Sequence, residues 1–228
     1  MEIVEICPQH LYQFWCDDDL LTLVKDLLSD PELEWKPTKV REGVNIHPNG
    51  KANRRCFMSR DRNLHKLERF QPLVKWLDEC VEEVRVKHKY NCDKISLTRL
   101  WGTRSRQNSD FYAHNHPFSL LSGVLYVTDS PAKTWFSERS MWEEVKFVNN
   151  STMGLHTLPT IRDNNTDSIS KVASEKGKLV MFPSSLLHSV DAHVDSDEPR
   201  YTMSFNSFPS GDIGGGDAST AGLRVQVL

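Results

Sequence analysis

At 228 residues the chain is long enough for one sizeable core, and its 28 basic and 31 acidic residues leave a net charge of -3. Charge this balanced argues against wholesale attraction to nucleic acid or to an anionic membrane surface. No apolar run nears the roughly 18 residues of a membrane span, and Met1 to Glu5 lacks a basic-then-apolar leader, so a soluble cytoplasmic protein with a small or local partner is expected. Cys7, Cys16, Cys56, Cys80 and Cys92 are odd in number and show no CxxC spacing, which reads as reduced, packed thiols.

In chain order, Asp17, Asp18 and Asp19 precede Leu20, Leu21, Val24, Leu27 and Leu28. That is an N-capped amphipathic helix with negative charge at the positive end of its dipole, ended by Ser29-Asp30-Pro31. Val40 to Asn63 reads as a solvated loop; the basic residues within 51–62, Lys51, Arg54, Arg55, Arg60 and Arg62, are either solvated or the contact for an acidic substrate or partner. Leu67, Phe70, Leu73, Val74, Leu77, Cys80, Val81 and Val84 recur at intervals of three and four and predict a second helix from about Leu64 to Val86. Both helices are expected to cover one face of a sheet.

From Lys94 onward β-type segments repeat: Ile95 to Trp101, Leu121 to Val127, Val145 to Val148, Leu179 to Phe182, Ser189 to Asp191, Tyr201 to Phe208 and a last short strand, Leu223 to Val227. Gly, Asn, Asp, Ser and Pro separate them, as in an antiparallel sandwich or barrel. Residues 149–176 form the longest polar stretch, a lid-like or disordered loop, and the run Gly211 to Gly216 lacks the strand and helix that would make it a nucleotide loop. The expected organisation is a single domain over 1–228, mainly β with N-terminal helices, residues 1–92 being helical support and 93–228 the core.

Within that core, His114 and His116 are spaced so that, on a strand, both side chains project to one face. His188 sits just past the strand entered by Gly177, and Arg200 opens another. Three imidazoles and a guanidinium converging from distant strands are what a non-haem iron site needs. If the strands of His188 and Arg200 pair as neighbours, the planar fork of Arg200 faces the pocket and can grip a carboxylate, with Thr202 one pleat further on the same face. Tyr126 and Ser122 are candidates for the pocket lining or for ordinary packing. The aromatic segment from Trp135 to Trp142 either buries substrate or forms a strand pair packed on the helices.

The blocks H-x-H-P-x-S-x-L-S-G-V-x-Y-V from His114 to Val127, G-K-L-V-M-F-P-S-x-L-x-H from Gly177 to His188, and R-Y-x-M-S-F-N from Arg200 to Asn206 resemble the iron(II)- and 2-oxoglutarate-dependent oxygenases, in particular a small branch of marine bacteria and phages. The resemblance covers about Leu97 to the C-terminus. It implies a double-stranded β-helix (a cupin-like jelly roll) with helices packed on one sheet, and oxidative decarboxylation of 2-oxoglutarate to succinate coupled to the use of O2 on a second organic substrate, usually its hydroxylation. It implies His114 and His188 as metal ligands and Arg200 as partner of the far carboxylate of 2-oxoglutarate, with Thr202, Tyr112 and Tyr126 beside it. His116 stands where the superfamily has Asp or Glu, so the implied iron site has three histidines. Ser122 and Trp135 are the substrate-side candidates. A viral origin would place the protein in host cytoplasm.

Two other readings compete: a cupin-like three-His metal protein without 2-oxoglutarate chemistry, and a non-catalytic phage structural module. Arg200 discriminates against the first, and polar residues at interior positions against the second.

Overall fold

The computed structural model describes residues 10–38, 56–109, 111–137, 169–191, 193, 198–213 and 223–227. Asp17 caps helix α1 (Asp18–Ser29) by accepting the Leu20 N–H at 2.7 Å, and Leu21, Val24 and Leu28 form the buried stripe. Helix α2 (Gln71–Lys87) buries Leu73, Leu77, Cys80, Val81 and Val84 but starts later than its periodicity predicts. Leu64–Lys66 and Glu68–Phe70 are separate 3-10 turns divided by an extended Leu67. Pro72, which needs no partner for a missing N–H in a first turn, then opens the α-helix.

The strands among the described residues are β1 (Tyr12–Trp15), β2 (Trp35–Pro37), β3 (Cys56–Ser59), β4 (Cys92–Ser105), β5 (Phe111–His114), β6 (Leu121–Tyr126), β7 (Ser130–Ser137), β8 (Ile169–Ser174), β9 (Lys178–Pro183), β10 (Leu187–Val190), β11 (Arg200–Ile213) and β12 (Leu223–Val225). They form a large sheet in the order β1-β9-β6-β11-β4-β3-β2, with β12 on β11, and a small sheet in the order β5-β10-β7-β8. Every neighbouring pair is antiparallel. This is the double-stranded β-helix that the sequence resemblance implies.

Strand alternation sorts the core into two layers. Leu100, Leu125, Met181, Met203 and Phe205 on the outer face of the large sheet pack with Leu21, Val24, Leu73, Leu77 and Val81 of the helices. Tyr126, Val180 and Phe182 on the inner face pack with Phe136 and Val172 of the small sheet. The fit on the helical side is close: a Cβ on Gly102 would lie 2.6 Å from Leu28 Cδ2. Gly177, at φ +83°, makes the left-handed turn into β9, and its N–H donates to the Tyr126 carbonyl at 2.8 Å.

Several expected boundaries change. β3 lies inside the segment expected to be a loop from Val40 to Asn63, because a four-residue apolar strand flanked by basic residues has too little alternation to signal itself. Lys51, Arg54 and Arg55 lie outside the described residues; Arg60 pairs at the surface with Glu34, 2.6 Å away. β8 occupies the end of the polar stretch 149–176, its pairing with β7 supplying what its composition does not. Residues 149–168 and the expected strand Val145 to Val148 lie outside the described residues, as do the Gly214 to Gly216 run and Cys7. β1, β2 and β3 join the large sheet, so the N-terminal region adds strands as well as helices. Cys16, Cys56, Cys80 and Cys92 are free thiols, and burial pushes Cys80 up to about 12. No helix among the described residues is long and apolar enough to cross a membrane.

Candidate metal centre

Antiparallel pairing of β5 with β10 sets His114 directly opposite His188, and their ring centroids lie 4.3 Å apart. β10 is also the neighbour of β7, so His188 has Phe136 as its second cross-strand partner. The rings of Phe182 and Phe136 stand 4.6 Å and 6.1 Å from the His188 ring, leaving it 7% exposed. His188 therefore lies within a strand, and not just past one as the sequence suggests, because its edges are hydrogen-bonded on both sides.

His116 arrives by another route. A strand through both His114 and His116 is not formed: β5 ends at His114, and Asn115 and His116 belong to the following turn. There the His116 N–H donates to the Ser184 carbonyl at 2.9 Å. The turn brings its Nε2 to 3.2 Å from His188 Nε2, and one ring nitrogen from each of His114, His116 and His188 lies within 4.8 Å of the others. Two nitrogens bound to one ion at about 2.1 Å and at right angles are about 3.0 Å apart, so the spacing suits a shared cation.

The protonation pattern suits it too. His188 Nδ1 lies 3.0 Å from the Leu186 carbonyl, which can only accept, so Nδ1 carries the proton and Nε2 keeps its lone pair for the centre. Burial above all, and then the imidazoles of His114 and His116, hold His188 well below the usual histidine range. It is neutral at physiological pH, as a metal ligand must be.

Ser184, which holds the His116 turn, is itself held. Its hydroxyl lies 2.8 Å from Ser122 Oγ and donates to Ser119 Oγ at 2.8 Å, while Ser122 donates to Asn206 Oδ1 at 2.9 Å. Ser122, expected at the pocket wall, thus belongs to a buried hydroxyl network behind His116 and is not among the residues lining the cavity.

Arg200 opens β11 in the large sheet, between β4 and β6, so it is not a sheet neighbour of His188; the two face one another across the sandwich. The guanidinium is 3% exposed and its Nη2 makes one long bond, 3.4 Å, to Ser105 Oγ. Nε and Nη1 are buried with no partner. Burial pushes its pKa down from the usual arginine range. A buried cation with unmade hydrogen bonds is costly, and an anion in the adjoining cavity relieves that cost.

That cavity, of about 70 Å³, is lined by the three histidines and, on the opposite wall, by Arg200, Thr202 and Tyr126. The Tyr126 hydroxyl lies 2.6 Å from Thr134 Oγ1, and burial raises its pKa, so the phenol stays protonated. Tyr112 has its backbone in β5, but its side chain lies outside the described structure. Trp135 is not at the cavity. Alternation along β7 turns Thr134 and Phe136 inward and Trp135 outward, where Lys171 Nζ sits 4.0 Å over its ring. The lining also holds Met58, Trp101 and Thr103, which sequence reasoning missed. The inward alternation of Trp101 and Thr103 was readable only had the strand been extended past Trp101 to Ser105.

Residues 99–206 match the model of the family described as "Putative 2OG-Fe(II) oxygenase". No curated protein matches the sequence significantly. Among solved structures the chain is similar to the non-heme alpha ketoglutarate dependent epimerase SnoN from nogalamycin biosynthesis, at 12% identity over 89% of this chain and 79% of that one, with a TM-score of 0.60. It is similar to HygX from Streptomyces hygroscopicus with nickel, 2-oxoglutarate and hygromycin B bound, at 13% identity over 88% and 83%, with a TM-score of 0.57. A prolyl-4-hydroxylase of Pseudomonas putida matches at 14% identity over 89% and 94%, again with a TM-score of 0.57. Identities this low speak for a shared fold.

Proposed function

Because the region 99–206 belongs with the 2OG-Fe(II) oxygenases, we propose that the chain is an iron(II)- and 2-oxoglutarate-dependent dioxygenase that hydroxylates an organic substrate. The observation that carries this reading is the pairing, in one cavity, of three converging imidazole nitrogens with a buried guanidinium two of whose nitrogens lack partners. His114, His116 and His188 would hold the iron; Arg200, with the hydroxyls of Thr202 and Tyr126 and in the sequence reading Tyr112, would hold the far carboxylate of 2-oxoglutarate. When bound, the iron and 2-oxoglutarate supply the oxidising chemistry, in which decarboxylation to succinate accompanies the use of O2 on the second substrate.

The protein's part is placement and exclusion of water. The Leu186 carbonyl fixes the His188 tautomer, and Phe136 and Phe182 shield that ring. Arg200, in a low-dielectric wall, binds a carboxylate more strongly than it would in water. Three neutral ligands in place of two histidines and a carboxylate leave the bound cation one unit more positive, which favours a dianionic co-substrate. The three-His set by itself also suits a cupin-like protein without 2-oxoglutarate, but such a protein has no need of the buried, incompletely bonded guanidinium of Arg200.

Anaerobic titration of the iron(II)-loaded protein with 2-oxoglutarate tests the reading. A metal-to-ligand charge-transfer band in the visible is expected, and its absence from folded, iron-loaded protein would overturn the proposal. His116→Ala is expected to weaken iron binding and His116→Asp to restore it; full iron affinity in His116→Ala would reduce the site to two histidines.

A further inference from the structure

Three cross-strand registers organise the inner face of the large sheet. Thr202 on β11 is paired with Tyr126 on one side and Thr103 on the other, and Thr103 in turn with Met58. Two residues along, Ser204 is paired with Val124 and Trp101. All of these line the cavity. β11 thus divides the wall: the Arg200 end with Tyr126 faces the co-substrate position proposed above, while Trp101, Thr103 and Met58 form a separate wall on β4 and β3.

That second wall is uncharged. Arg200 is the one Asp, Glu, Lys or Arg among the described residues lining the cavity, and the co-substrate reading assigns it to a carboxylate. Trp101 is 8% exposed, and its ring centroid lies 6.0 Å from that of His116 at an interplanar angle of 45°, so whatever touches Trp101 lies beside a candidate metal ligand. Among the described residues none accepts the Trp101 indole N–H. Unlike the sealed Nε1 of Trp135, the Trp101 Nε1 keeps contact with solvent, so the N–H can be reached by a ligand. Met58 adds an adaptable apolar contact and Thr103 a hydroxyl. A charged group placed here would lose its hydration and meet no opposite charge.

We propose that the β3–β4 wall seats the primary substrate, and that it takes a neutral, flat group lying against Trp101 with a hydrogen-bond acceptor on the indole N–H. The inference rests on the co-substrate reading, which assigns Arg200 elsewhere. Trp101 is a specificity residue in this scheme.

The test uses the iron(II) and 2-oxoglutarate complex under anaerobic conditions, with benzamide, toluene, benzoate and benzylammonium as probes. Paramagnetic broadening of each probe's proton resonances reports approach to the metal. Benzamide is expected to broaden saturably and to bind better than toluene, which lacks the acceptor, and better than either charged probe. Trp101→Phe keeps a flat ring but loses the N–H, so it should weaken benzamide by about five- to tenfold, the loss of one hydrogen bond, and abolish its advantage over toluene. The charge-transfer band should be unchanged in Trp101→Phe, which separates this effect from misfolding. A normal band with no broadening by benzamide, with a charged probe bound as tightly, or with benzamide binding unaltered in Trp101→Phe overturns this inference alone. A wild-type protein with no band overturns the co-substrate reading and this inference with it.

Discussion

The two sheets bring residues to one cavity by different means. In the large sheet, β4 and β11 are 14 residues each and pair along nearly their whole length, with the outer face sealed by α1 and α2. In the small sheet, β5 and β10 have four residues each, and the third histidine stands outside any strand. Arg200 and Thr202 therefore sit on the more extensively bonded support, and the three histidines on short strands and a turn. Long ladders under a sealed core open rarely, whereas short strands and turns open at lower free-energy cost. The proposed anion anchor is thus preorganised more strongly than the candidate metal ligands, of which His116 is held by the Ser184 carbonyl.

The largest expected effect tests whether the two supports act independently. Arg200→Ala removes the cation from the large sheet and should lower 2-oxoglutarate affinity by about 2–5 kcal/mol, roughly thirtyfold or more, the range for truncating one member of a buried charge pair. Iron binding without the co-substrate should persist. Titration of both ligands reads the result, and loss of iron affinity in the variant would show that the sheets are coupled.

Next comes acid sensitivity, which belongs to the small sheet. The folded state holds the His188 pKa well below the ordinary histidine value of about 6.5, so below that pH the unfolded chain takes up a proton that the folded chain resists. Stability is thus complete above pH 6.5 and is lost as pH falls through and below it, with a slope of up to about 1.4 kcal/mol per pH unit for one proton. Denaturant unfolding of metal-free protein at a series of pH values should show this slope, and His188→Gln should reduce it. An unchanged slope in His188→Gln would assign the acid sensitivity to other groups.

The smallest effect concerns the turn. Ser184→Ala keeps the carbonyl that accepts the His116 N–H but removes the hydroxyl bonded to Ser122 and Ser119. A cost of about 1 kcal/mol in unfolding free energy is expected, with a few-fold loss of iron affinity as the His116 turn loosens. Unchanged iron affinity would mean that the turn is held by its backbone bond alone.

Much of this was legible beforehand because the signals are local. The cap at the Asp17 end of α1, the periodicity from Leu73 to Val84 and the turn at Gly177 each depend on residues near in sequence. Short or polar strands were less legible. β3 and β8 are held by neighbours distant in the chain, and a four-residue strand such as Cys56–Ser59 shows too little alternation to predict. Trp135 and Ser122 were put forward for their chemistry, whereas their facing is set by register: Trp135 on the outward pleat of β7, Ser122 in the network behind His116.

From residue type and short spacing came an antiparallel sandwich or barrel, the convergence of His114, His116 and His188 as a hypothesis, and Arg200 as a carboxylate partner by chemistry; the double-stranded β-helix came from the sequence resemblance. Tertiary structure decided that Arg200 faces His188 across the sandwich, that His116 reaches the centre from a turn, and that Trp101 shares its cavity. Those relations are set by strand pairing between segments far apart in the chain, and a register is a property of two strands together.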